Sequence, residues 1–366
     1  MKTSSLRFFV PCLLLAASLP AWAAGLRVDN APNIEDMLTT PDGQWVIGSG
    51  MAVTDSQPGA LYAINIKSKS VQRLYQGNSD ASAKTTDSGC PGELAAGNFA
   101  PHGISLHQSA SGDWSLYVVN HGGRESVEAF SLTINATTNQ PELAWSDCIV
   151  LPPGTMANSV AVATDGTVYI TASGNFFAAA ENEKSATSEP VFPPGGILAW
   201  NSASGWREIP GGKLIQPNGL LVSADNRHLY AADWSGKTVF EIDLNDPEAT
   251  RTLLLDFMPD NLRWDSDGSF WVAGHTAEPQ SIFECYLSAA SQCPVDWGLA
   301  RVDSQSMTSM CQELLPATQT ISTITVAQPV ADTLWLGTFR GPAIHISDKA
   351  TKSNAATCIQ PPDAVR

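Results

Sequence analysis

NSVAVATDGTVYITAS, residues 158–173, holds two apolar, β-branched runs on either side of Asp165-Gly166, with an aromatic, Tyr169, near the start of the second run. An Asp-Gly pair between two such runs marks a hairpin, since both central residues of the turn can take positive φ. The same unit returns as EDMLTTPDGQWVIGS from Glu35, NGLLVSADNRHLYAAD from Asn218 and DNLRWDSDGSFWVAG from Asp260. HGISLHQSASGDWSLYVVN from His102 and STITVAQPVADTLWLGTF from Ser322 are looser copies. The aromatic markers Trp45, Tyr117, Tyr169, Tyr230, Trp271 and Trp335 lie between 41 (Tyr230 to Trp271) and 72 (Trp45 to Tyr117) residues apart. No window keeps a 3.6-residue apolar period. Six units of this size, each too small to bury its own faces, predict an all-β chain folded as a six-bladed β-propeller. A β-sandwich with coincidental spacing is the competing architecture.

The first 23 residues stand apart. MKTSSLRFFVPCLLLAASLPAWA has Lys2 and Arg7, an apolar run too short to span a bilayer, and Ala21-Trp22-Ala23 as a small-x-small cleavage site. This is the layout of a secretory signal peptide. It predicts a periplasmic or secreted protein with no stable membrane anchor, in which residues 24–366 form a single propeller domain. Loss of Lys2 and Arg7 leaves 18 basic against 36 acidic residues, a formal charge of −18. With no basic cluster to offset that balance, nucleic acid is excluded as a partner. Six cysteines remain after Cys12 is removed, allowing up to three disulfides in 15 pairings. Cys285 and Cys293, close in sequence, form the natural local pair, and the other partners stay open.

The residues that begin the repeats share a chemistry. Glu35, Asn158, Asn218 and Asp260 each stand eight positions before the turn residue, namely Gly43, Gly166, Asn226 and Gly268. The first strand of a propeller blade lines the central channel, so four blades aim oxygen-bearing side chains at one mouth of that channel. Two carboxylates and two amides converging without basic partners repel one another unless a cation sits between them. Hard oxygen donors of mixed charge suit Ca²⁺, and Asn261 supplies a further oxygen. The plainer alternative is that Asx residues merely start strands through local hydrogen bonds. His102 occupies the same phase of its own repeat, and His121 ends the next strand. A nitrogen base is a poor calcium ligand, which makes His102 the base beside the metal and His121 its helper. His107 and His228 read as turn residues, His275 as able to reach the channel mouth, and His345 as ambiguous.

With PHGISL, LYVVNH, SVEAFSL, IEDML, NSVAV, PNGLLVSADNRHLYAAD, PDNL and FWVAGH in order, the chain resembles the paraoxonase/arylesterase family over residues 34–341. The oxygen ring alone is shared with the wider gluconolactonase and regucalcin group. The resemblance implies a calcium-dependent hydrolase of lactones and aryl esters acting on small molecules. It implies a catalytic Ca²⁺ on Glu35, Asn158, Asn218, Asp260 and Asn261, with His102 as general base and His121 orienting it. It also implies a second, buried calcium using Asp36 and the carbonyl of Ile104, but Ser159 stands where the family has an Asp. His275, Phe176 and Phe177 fall on the substrate pocket. The segment Gly174–Pro194, in the place of the family's active-site lid, is polar and predicts a smaller or more polar substrate. Two other readings remain: a non-catalytic exported binding or scaffold propeller with structural calcium, and a gluconolactonase-like sugar lactonase.

Overall fold

The computed structural model describes residues 26–53, 58–78, 89–174, 195–288, 290–350 and 357–359. Residues 1–23, expected from the sequence to be a signal peptide, and both Phe176 and Phe177 lie outside the described residues. Among those described, the strands form six four-stranded antiparallel sheets. Five are meanders in which sheet order follows chain order. The sixth draws on both ends of the chain: Ile324–Val330, Thr333–Thr338 and Ala343–Asp348, then Leu26–Asp29 as the outermost strand. That last strand pairs antiparallel with its neighbour from Leu26↔Ile346 to Asp29↔Ala343, closing the ring. The first strands of the blades are Ile34–Thr39, Pro101–Gln108, Thr155–Val162, Pro217–Val222, Met258–Trp264 and Ile324–Val330. Each contacts the first strand of the next blade, and the last contacts the first, so the sheets form a six-bladed propeller.

A blade is apolar on both faces and stable only between neighbours. Six apolar clusters fill the six interfaces; Leu38, Ile47, Ile104 and Leu116 between the first and second blades are typical. Trp335 with Ile34 and Met37 fills the closing interface. All six aromatic markers fall on second strands, and Trp271 and Trp335 are fully buried. In the four clear hairpins only the residue at Gly43, Gly166, Asn226 or Gly268 has positive φ, between 57° and 85°. The turns are therefore longer than a two-residue hairpin with two left-handed positions.

The closing blade carries a pH dependence. His345 is buried at the seam beside Arg27, and burial together with that cation pushes its imidazole down to about 4. A depressed histidine stabilises the fold above its unfolded value near 6.5 and loses that contribution as pH falls toward 4. Lowering the pH from 7 to 4.5 should cost up to about 3 kcal/mol at this residue. His345→Gln should flatten that part of the melting-temperature profile.

Three disulfides join Cys90–Cys148, Cys285–Cys293 and Cys311–Cys358. The local pair expected from the sequence is one of them. Cys358, near the C-terminus, is fastened to Thr308–Leu315, the outer strand of the fifth blade. Among the described residues no helix is long and apolar enough to cross a membrane.

Candidate active site

In every inner strand the pairing with the second strand slips by one residue near the same end. The slips lie between Ile34 and Asp36, Pro101 and Ile104, Ala157 and Ser159, Pro217 and Leu220, Pro259 and Leu262, and Ile324 and Val326. A bulge of this kind re-aims one side chain out of the pleat. The residues it frees are Glu35, His102, Asn158, Asn218, Asp260 with Asn261, and Thr325. They are interior members of their strands rather than the opening residues expected. The close approach of neighbouring strands explains the glycines beside them. A Cβ at Gly103 would meet the Cα of Ser159 at 2.6 Å, and one at Gly219 the carbonyl oxygen of Asp260 at 2.4 Å.

Glu35, His102, Asn158, Asn218, Asp260 and Thr325 form the floor of a cavity of about 420 Å³. Thr325 completes the sixth position; its sequence copy was too loose to mark it. Its hydroxyl donates to the Glu35 carbonyl at 2.7 Å. The Asn261 amide donates to Glu35 Oε1 at 2.6 Å, fixing that carboxylate from a strand 226 residues away. Glu35 and Asp260 are almost fully buried. Burial, reinforced by the charges of Glu35 and Asp36, pushes the Asp260 carboxyl well above the usual range. Burial opposes ionisation of Glu35 as well, but His102, the Asn261 hydrogen bond and the charge of Arg263 together outweigh it and hold that carboxyl below its ordinary value.

Buried polar atoms normally have partners. Here Glu35 Oε2, Asn158 Oδ1, Asn218 Oδ1 and Asn261 Oδ1 have none. Four unpartnered oxygens beside two desolvated carboxylates fit a hard divalent cation bound through oxygen. Among the described residues no group of three or more His, Cys, Asp or Glu is arranged to hold a metal, as expected where Asn158, Asn218 and Asn261 make three of the five oxygen donors amides.

The histidines meet at the edge of this floor. His102 Nδ1 lies 2.9 Å from His121 Nε2, and His121 Nδ1 lies 2.9 Å from Glu125 Oε2. Glu125 was not picked out from the sequence, although it follows His121 by four residues in HGGRE. Asn120 holds that turn by donating to the carbonyls of Gly122 and Arg124, each at 2.9 Å. The chain of contacts sets the tautomers. Glu125 accepts the proton on His121 Nδ1, so His121 Nε2 accepts from His102 Nδ1. The lone pair of His102 Nε2 is then left facing the ring, 3.5 Å from Glu35 Oε1 and from Asn158 Nδ2. Burial disfavours the charged form of His102, but Glu35, with the charges of Asp36 and Glu125 behind it, outweighs burial and raises its pKa.

His275 does reach the mouth: it is buried, accepts from Trp234 Nε1 at 3.2 Å and lies 3.7 Å from Asp260. The neighbouring Gly274 leaves no room for a side chain, since a Cβ there would meet the Met258 carbonyl at 1.9 Å. His107 lies within Pro101–Gln108, paired opposite Ser115, rather than in a turn. Helix α1, Pro279–Leu287, was missed because it spans barely two turns; Pro279 near its start and the spacing of Ile282, Cys285 and Tyr286 were its signals. The Cys285–Cys293 disulfide and Arg340, which donates to the Tyr286 carbonyl, hold it over the cavity. Ile282, Phe283 and Tyr286 form one wall, with Met51, Trp234 and Phe339. The polar segment 175–194 lies outside the described residues, and the walls that are described are largely apolar.

Fold and site together define a six-bladed propeller with a ring of oxygen-bearing side chains at one channel mouth. Residues 31–340 match the Arylesterase family, and the chain belongs to it. Membership places it among hydrolases of the lactonase and esterase type. No curated protein matches the chain. Solved structures similar to it include a gluconolactonase from Xanthomonas campestris, 15% identical over 87% of each chain with a TM-score of 0.49. Another is a calcium-binding regucalcin from Agrobacterium tumefaciens, 13% identical over 88% of this chain and 92% of that one, with a TM-score of 0.47.

Proposed function

We propose that the chain is an exported, calcium-dependent hydrolase of lactones and aryl esters. Glu35, Asn158, Asn218, Asp260 and Asn261 hold the ion. The supporting observation is the His102–His121 contact of 2.9 Å beside a floor with four unpartnered buried oxygens. A scaffold protein has no need of a histidine pair at the ring.

Bound calcium supplies a Lewis acid for the substrate carbonyl oxygen and for the negative charge that gathers there. His102 Nε2 takes a proton from the attacking water, and His121 stabilises the imidazolium that results. Glu125 keeps His121 in the tautomer that accepts from His102. The aromatic and methionine walls exclude water and receive an apolar substituent on the lactone or ester.

The test is turnover of a panel of lactones, aryl esters and phosphotriesters by protein stripped with a chelator and then titrated with Ca²⁺. Lactone and ester hydrolysis should vanish on stripping and return with calcium. Full activity in chelator, or no activity on any member with calcium present, defeats the reading.

A further inference from the structure

We propose that the guanidinium of Arg263 takes the place of the second, buried calcium that the family resemblance implies, so that no divalent cation enters between Asp36 and Ile104. Those two groups are already partners of Arg263. Its terminal nitrogen forms an ion pair with the Asp36 carboxylate and donates to the Ile104 carbonyl at 3.1 Å. The other guanidinium nitrogens donate to the Met37 carbonyl at 2.6 Å and the Leu262 carbonyl at 3.0 Å. One side chain thus binds a carboxylate and three carbonyls around a buried point, much as a cation binds oxygen donors.

Both oxygens of the carboxylate are already engaged. Asp36 Oδ1 accepts from Met37 N and Oδ2 from Ile104 N, each at 2.9 Å, in addition to the guanidinium. Asp36 and Arg263 are both buried, and an arginine does not release its proton in a protein. A dication brought to this point would face a fixed positive charge in a poorly screened interior. The charge count agrees. One carboxylate balances one guanidinium, whereas a dication needs a second acid. That position holds Ser159, fully buried, whose hydroxyl has no partner. The pin at the centre of the channel is therefore part of the chain and survives chelation.

The inference uses the ring's calcium site of the preceding section only as a reference count. Equilibrium dialysis against Ca²⁺ after chelator stripping should give no more than one ion per wild-type chain and none for Glu35→Gln. Two ions in the wild type, or one persisting in Glu35→Gln, would overturn it. A wild-type count of zero defeats the ring's calcium and still agrees with Arg263 at the inner position. In excess chelator, Arg263→Met should lower the melting temperature by about 5–10 °C, because Asp36 is left buried and unpaired. An unchanged melting temperature there counts against the proposal. The double variant Arg263→Ser/Ser159→Asp, with the guanidinium gone and the missing acid restored, should bind one calcium more than the wild type. No gain in a folded double variant overturns it too. If neither variant folds, the wild-type count decides.

Discussion

Glu35→Gln and Asp260→Asn each lower lactone and ester turnover on the order of 10³-fold or more at fixed calcium, measured as kcat/KM on an aryl ester and a lactone. Both changes keep side-chain volume and remove one charge. The ring has two carboxylates for a doubly charged ion, and the other donors are neutral amides, so losing either acid leaves the ion's charge uncompensated. The same variants separate binding from folding. Without a cation, Asp260 is a buried acid held beside the charges of Glu35 and Asp36, which disfavour its ionisation. Asp260→Asn should therefore melt higher than wild type in chelator and lower than wild type in excess calcium. Such a crossover is what a cation site predicts and a merely structural carboxylate does not. Undiminished turnover in both variants would falsify the mechanism.

His102→Gln should lower kcat by about 10²–10⁴-fold, the range for loss of a positioned general base, while calcium affinity changes only a few-fold. Its Nε2 lies at the edge of the ring, 3.5 Å from Glu35 Oε1 and from Asn158 Nδ2, on the cavity side where a substrate water would stand. His121→Gln and Glu125→Gln act through the tautomer of His102 and should cost less, with KM little changed. A His102→Gln enzyme of wild-type rate, or one that loses calcium altogether, would show that the histidine serves the ring rather than the water. Calcium titration followed by single-turnover hydrolysis distinguishes these outcomes.

The oxygen ring was legible because a propeller repeats its geometry. Residues in one phase of the unit reach one end of the channel, so Glu35, Asn158, Asn218 and Asp260 could be grouped by counting back from the turn. Thr325 escaped because Pro329 and Ala331-Asp332 obscure its turn signal, although the bulge beside it matches the other five. Glu125 escaped because a four-residue step after His121 means nothing until Asn120 folds the Gly122-Gly123 turn back. Helix α1 escaped because two turns leave little periodicity to read. Arg263 is the largest omission. In DNLRWD it reads as an ordinary charged residue, and its partners Asp36, Met37 and Ile104 lie in other blades, 159 to 227 residues away in the chain.

By itself the sequence determined the all-β architecture, the number of repeats, the phase of the oxygen donors and the family likeness. Each of these is written in local periodicity and turn chemistry. The tertiary structure alone decided which strand closes the ring, that a bulge in each inner strand turns the donors inward, that Glu125 completes the histidine chain and that an arginine occupies the centre. These depend on backbones brought to within a few ångströms from distant parts of the chain, and spacing along a sequence carries no such distance.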